Sequence, residues 1–310
     1  MKRIRQKSGL RAFTLIELLV VIAIVAMLVG IMSVGMRKAM MVAKNLRQKA
    51  EFKAMETGLE LFAKDFDDYP DSKVLPGILG NNLVCGAHHL AEALVGRDER
   101  GFDPKSKWYA PTDRPAQPDL YTDNQSSLIR RKPPYVQLKH GGVYTLDDLY
   151  GSGNIGNMFA SVRTGPNPNL IPVITDTFGR IQPMNTAITQ KVGMPILYFK
   201  GDETKRFRIN SIRTEVNRGN LSQAEYQEWA FNFDDNLPIV RLLPLTDPAK
   251  MHFDSNDDLD KAWAFYEDIT QTADVDRAFF KPFNASTFIL ISAGYDGIYG
   301  TKDDITNFNY

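Results

Sequence analysis

RAFTLIELLVVIAIVAMLVG, residues Arg11 to Gly30, is apolar almost throughout, and its single acid, Glu17, stands near the start. The 24 residues from Phe13 to Met36 carry no other charge, and about 20 apolar residues in a helix span the ~30 Å hydrocarbon layer of a bilayer. Lys2, Arg3, Arg5, Lys7 and Arg11 precede the run with no acid among them. Such an excess of cations stays cytoplasmic, which sends everything after Met36 to the far side of the membrane. A secretory signal has an apolar core of about 7 to 15 residues with a small-residue cleavage site behind it; here the small residue, Ala12, stands in front. A plain anchor gains nothing from an acid in its first turns, because an unpaired ionisable group inside a bilayer is costly. Glu17 therefore needs a partner.

A short basic leader, a small residue, a Phe and then TLIELLVVIAI together resemble the processing site of type IV pilins and type II secretion pseudopilins. The resemblance implies cleavage between Ala12 and Phe13 by a prepilin peptidase, N-methylation of Phe13, and a mature chain of 298 residues. The family usually has Gly where Ala12 stands. Glu17 becomes the fifth mature residue, the position the family reserves for Glu. A free α-amino group titrates near ~7.7 to 8.0 and is largely cationic at neutral pH. The resemblance makes Glu17 an assembly register, neutralising that amine on the adjoining subunit inside an apolar filament core.

The 310 residues hold 37 Lys and Arg against 37 Asp and Glu, which leaves no broad basic field for nucleic acid. Without residues 1–12 the balance becomes 32 against 37, mildly acidic. Apolar residues make up 43%, enough for a large core, and the lone Cys85 excludes an intrachain disulfide.

Beyond the apolar run no Pro interrupts the pattern until Pro70, and Phe52, Met55, Leu59, Phe62 and Phe66 recur at spacings of 3, 4, 3 and 4. That periodicity predicts one helix from Phe13 to about Phe66 lying on a core, with Lys49, Glu51, Lys53, Glu56, Glu60 and Lys64 facing water. The organisation expected is a leader at 1–12, a transmembrane and polymerisation helix at 13–36, its amphipathic half at 37–69, and a head at 70–310. Within the head, Pro and Gly clusters make 70–170 a loop-rich insertion, with a short helix at His88–Leu94 and a strand at Tyr135–Leu138. A sheet hairpin is expected at 171–200, from strands Leu170–Thr175 and Met194–Lys200. A helical insertion follows at 201–285, with helices at Ser222–Phe231 and Asp257–Thr270, the latter capped by Asp254, Ser255 or Asn256. A last strand at Thr287–Ser292 opens the closing segment 286–310.

That segment, FILISAGYDGIYGTKDDITNF, delivers a strand into a turn with three carboxylates, Asp296, Asp303 and Asp304, among Gly294, Gly297 and Gly300. Hard oxygen donors on a tight backbone suit Ca²⁺, and an acidic solvated turn has the same composition. The spacing departs from the EF-hand, lacking its sixth-place Gly and closing Glu. The run is similar to the C-terminal calcium loop of the major type II secretion pseudopilins, the G subunits, with Ser292, Gly294, Asp296, Gly297, the pair Asp303 and Asp304, Ile305 and Asn307 in register and Phe308 in place of Trp. DTFGRIQP, from Asp176, is a reduced form of that family's D-P-W-G-x-P-Y hairpin. The resemblance makes Asp296, Asp303 and Asp304 the side-chain ligands of Ca²⁺, with the carbonyl of Ala293 as a further donor.

Cys85, His88 and His89 form C-x-x-H-H, but no second pair completes a zinc site. Asp254, Asp257, Asp258 and Asp260 read as acids at a helix start, and Trp108, Trp229 and Trp263 as core or interface residues. No nucleophile motif, P-loop or dinucleotide fingerprint occurs, so no catalytic residue is expected.

The fold class implied is α+β and type IV pilin-like: a long N-terminal helix packed on a small antiparallel sheet, with an enlarged loop-rich head. The function implied is that of a non-enzymatic structural subunit of a type II secretion pseudopilus, polymerised in the periplasm to drive protein export and held before that in the bacterial inner membrane by one pass with its head in the periplasm. Its partners would be lipid before assembly, then copies of itself and other pseudopilins, the prepilin peptidase, and inner-membrane assembly proteins of the secretion system. A subunit or tip component of a surface type IV pilus shares these features. A membrane-anchored periplasmic enzyme or binding protein is the rival from another class.

Overall fold

The computed structural model describes residues 14–76, 83–106, 120–139, 141–151, 155, 172–202, 204–205, 230–270 and 282–308. The expected helix is present as α1, Leu15–Phe66, 52 residues without interruption. Contacts divide the chain into two compact units, one through Lys44 and one from Asn45.

In the first unit α1 is long and apolar enough to cross a membrane. Leu15, Ile16, Met27, Ile31 and Met32 are each at least 65% exposed. An apolar surface of this length is stable only when lipid or other protein covers it.

In the second unit α1 turns Phe52, Met55, Leu59 and Phe62 inward, all buried as the spacing predicts. The opposite face is less wet than expected, since Glu51 and Glu56 are buried. Glu51 accepts the Lys139 amide at 3.0 Å, and Glu56 pairs with Lys53 at 3.0 Å. A close-packed loop and a neighbouring cation thus shield two acids that periodicity alone assigned to solvent.

After α1 come the short pair β1, Leu75–Pro76, and β2, Leu83–Val84. Helix α2, Gly86–Val95, is buried along its whole length, and α3 is Gln125–Arg130. Strand β3, Gly142–Thr145, runs directly into α4, Leu146–Tyr150, where Thr145 accepts the Asp148 amide and caps the helix. Strand β4, Pro172–Thr175, pairs antiparallel with β3. Strand β5, Leu197–Lys200, pairs antiparallel with β6, Phe288–Ser292, which in turn pairs with β7, Ile305–Thr306. A bridge from Thr175 to Pro195, with the Ile196 amide on the Ile174 carbonyl at 2.8 Å, joins the two sheets at β4 and β5.

Both faces of this sheet are buried. Ile174, Ile196, Tyr198, Phe288 and Leu290 pack with Phe52, Met55 and Leu59 of α1 and Leu90 and Leu94 of α2. The alternate residues Val173, Leu197, Phe199, Ile289 and Ile291 pack on the other side. There they meet α5, Leu237–Val240, and α6, Asp258–Asp268, through Ile239, Val240, Ala262 and Phe265. Two-sided burial explains why β4 to β6 read as continuous apolar runs rather than alternating ones.

Three expectations are corrected. Tyr135–Leu138 forms no strand: the Tyr135 amide bonds the Leu94 carbonyl at the end of α2, and its backbone is spent there. Strand β3, in the Gly141-Gly142 region read as loop, takes the place beside β4. The cap of α6 is Asp257, whose carboxylate faces the Asp260 amide at 3.4 Å, rather than Asp254, Ser255 or Asn256. Most of the expected helix Ser222–Phe231 lies outside the described residues.

Candidate functional site

Ala12 and Phe13, the expected cleavage pair, lie outside the described residues. Glu17 lies in the first turn of α1. Its Oε2 accepts from the Thr14 amide at 2.9 Å and the Thr14 hydroxyl at 2.8 Å, while the Glu17 amide donates to Thr14 Oγ1 at 3.3 Å. This is a reciprocal capping box, T-x-x-E, which satisfies donors otherwise orphaned at a helix start. The motif is plain in TLIE, residues Thr14 to Glu17. In the single chain the carboxylate already has a local role.

The C-terminal loop begins where β6 ends. Ser292 donates to the buried Asp176 carboxylate at 2.9 Å, tying the loop to the DTFG turn. Asp303 accepts the Asp296 amide, Asp296 accepts the Ile298 amide and Asp304 accepts the Gly300 amide, each at 2.8 Å. The Ala293 carbonyl accepts the Gly297 amide at 3.1 Å. Gly294 has φ +62, and a Cβ there would stand 2.1 Å from the Asp303 carbonyl, so only glycine permits the closure. From outside, Thr246 donates to the Asp296 carbonyl at 2.6 Å, and the Arg180 guanidinium lies 3.5 Å over the Tyr295 ring.

Burial raises the Asp296 carboxyl above its usual range, and Asp303 adds to the rise. Asp304 is pushed up further, by burial first and then by Asp268, Asp303 and Asp296. Three hard carboxylates that repel one another are a donor set chemically suited to Ca²⁺. In this arrangement each serves an amide, and no three of the described His, Cys, Asp or Glu side chains are grouped to hold a metal ion. Arg180, Thr246 and Asp176 are the positioning residues that sequence reading underrated, because they lie 50 to 116 residues away from their partners.

Cys85, His88 and His89 serve the start of α2. The Cys85 amide donates to His88 Nδ1 at 3.2 Å, and His89 Nε2 stands 3.0 Å from the Lys73 carbonyl. Burial pushes the Cys85 thiol up to about 12 and His88 down to about 3, which makes both inert at neutral pH. The unfolded chain takes up the His88 proton near pH 6.5, whereas the folded chain resists until about pH 3. Stability present above pH 6.5 is therefore lost as the pH falls toward 3, by roughly 1.4 kcal/mol per pH unit from this group. Denaturant titrations of the parent chain and His88→Gln at several pH values check this; the variant is expected to flatten the acid limb.

Residues 8–33 match the family model of the prokaryotic N-terminal methylation motif. No curated protein and no solved structure matches the chain. The motif supports a type IV pilin-like or pseudopilin class, whose members are structural subunits rather than enzymes. With α1, the one helix among the described residues long and apolar enough to cross a membrane, it suggests a single-pass membrane-anchored protein.

Proposed function

We propose that this chain is a structural subunit of a type II secretion pseudopilus with a type IV pilin-like fold. A prepilin peptidase cuts between Ala12 and Phe13, Phe13 is N-methylated, and subunits leave inner-membrane lipid to polymerise in the periplasm through α1. The observation that carries this reading is the methylation motif at 8–33, whose part from Leu15 onward lies on a helix with an exposed apolar surface. Partners are copies of the chain, other pseudopilins and inner-membrane assembly proteins. Deleting the protein is expected to leave exported proteins inside the cell while surface pili persist. Normal export with pili missing would assign the subunit to a surface pilus instead.

We further propose that the loop from Ala293 to Asp304 takes up Ca²⁺, exchanging its amide bonds for the ion through Asp296, Asp303, Asp304 and the Ala293 carbonyl. Mutual repulsion among those carboxylates supports the reading, because a cation relieves it. At 100 times its dissociation constant the ion adds about 2.7 kcal/mol to the folded state. The melting midpoint of the full chain is expected to rise with Ca²⁺ and that of Asp303→Ala to stay fixed; a parent midpoint equal in Ca²⁺ and in chelator removes the ion.

A further inference from the structure

The head contains an open cleft of about 600 Å³, walled by the segment leaving α1, the end of β5 and the turn before α5. Asp235, on that last wall, is only 3% exposed. Among the described residues its carboxylate accepts one hydrogen bond, from the Ser72 hydroxyl, which itself accepts the Lys200 amide at 3.0 Å. The cations that share the cleft are placed elsewhere: Lys200 pairs with Asp68 at 2.5 Å and Lys205 with Asp202 at 3.8 Å. Lys73 is exposed and makes no ion pair among the described residues. A buried carboxylate with a single hydrogen bond and no ion pair among the described residues is unfavourable, and the cleft has the size of a small-ligand site.

We propose that this cleft receives a cationic side chain, the ammonium of a lysine or the guanidinium of an arginine from a partner polypeptide, with Asp235 as its buried counter-ion and Asp71 as the exposed one. Electrostatics agree with the geometry. Burial pushes the Asp235 carboxyl up to about 7, Asp71 and Asp234 add to the rise, and Ser72 and Lys73 oppose it. An entering cation restores the ionised form, and the apolar stem has the Tyr69 wall to lie on.

The test uses the detergent-solubilised full chain and calorimetric titration with Nα-acetyl-lysine amide, Nα-acetyl-arginine amide, spermidine and the neutral Nα-acetyl-norleucine amide. The two cationic amides are expected to bind saturably at pH 8 and about tenfold more weakly at pH 6, where the ionised fraction of Asp235 is about tenfold smaller. Asp235→Asn keeps an acceptor for Ser72, melts no lower than the parent, and is expected to abolish binding. Lys73→Met, on the surface, is expected to tighten binding and decides the matter if Asp235→Asn fails to fold. Equal binding of the norleucine amide, affinity unchanged by pH or by Asp235→Asn, or no saturation by either cationic amide overturns the proposal. Spermidine binding a hundredfold tighter than both amides overturns it as well, in favour of a free polyamine.

Discussion

Glu17→Gln is expected to yield subunits that insert in the membrane and lose their leader but fail to enter filaments, with polymer yield falling by roughly a hundredfold or more. Glutamine preserves the side-chain shape and an oxygen for the Thr14 amide and hydroxyl, so the capping box that holds the first turn of α1 survives. What it removes is the negative charge. In the assembly proposed, that charge meets the new α-amino group of the adjoining subunit where water is excluded, and an ammonium left there without a counter-ion is strongly disfavoured. Separating the two roles makes the variant informative: a fault in the capping box disturbs the isolated chain, whereas a lost pair shows only on assembly. Fractionation and electron microscopy of cells carrying the variant read the two outcomes separately.

The second large effect belongs to the head. Glu92, buried in α2, accepts from Arg97 Nε at 2.7 Å, from the Tyr121 hydroxyl at 3.0 Å and from the Ser106 hydroxyl. The guanidinium groups of Arg97 and Arg131 lie 5.2 and 5.1 Å from the centre of the Tyr121 ring. Asp103, fully buried, is gripped twice by Arg130, at 2.8 and 2.5 Å. This network fastens the described stretches 97–106 and 120–131 onto α2. Glu92→Ala removes the buried carboxylate that accepts from Arg97, Tyr121 and Ser106 and is expected to destabilise the head by about 3 to 5 kcal/mol, a large share of the ~5 to 15 kcal/mol typical of a domain. The double variant Glu92→Leu with Arg97→Met replaces the pair with apolar volume and is expected to recover most of that loss. Denaturant unfolding of the three chains compares them; a single variant as stable as the parent would show that the network holds little.

The sequence made α1 legible because a 24-residue apolar run with one acid after a basic leader has few structural readings, and because Phe52, Met55, Leu59 and Phe62 keep strict helical spacing. Strands β4, β5 and β6 were legible for a different reason: burial on both faces leaves VIT, LYF and FILI with no polar alternation to confuse them. Strand β3 was not, since GVYT is half-buried beside a Gly pair and its pairing comes from β4, some 30 residues later. Tyr135–Leu138 misled because Tyr and Val suit a strand, while the backbone there bonds a helix end instead. At the candidate sites the acids themselves were visible, but their partners were not. Thr14 escapes notice for being local and Thr246 because only the folded chain brings it to the loop, whereas DTFGRIQP already pointed to Asp176. The cleft at Asp235 left no linear trace, as its walls come from four separated segments.

Pilin-like processing leaves a defined amino terminus on the chain in the cell. Mass spectrometry of the N-terminal peptide from membrane-extracted protein is expected to find Phe13 as the first residue, N-methylated, with residues 1–12 absent. A chain that keeps its basic leader, or begins with an unmodified residue further along, would contradict it.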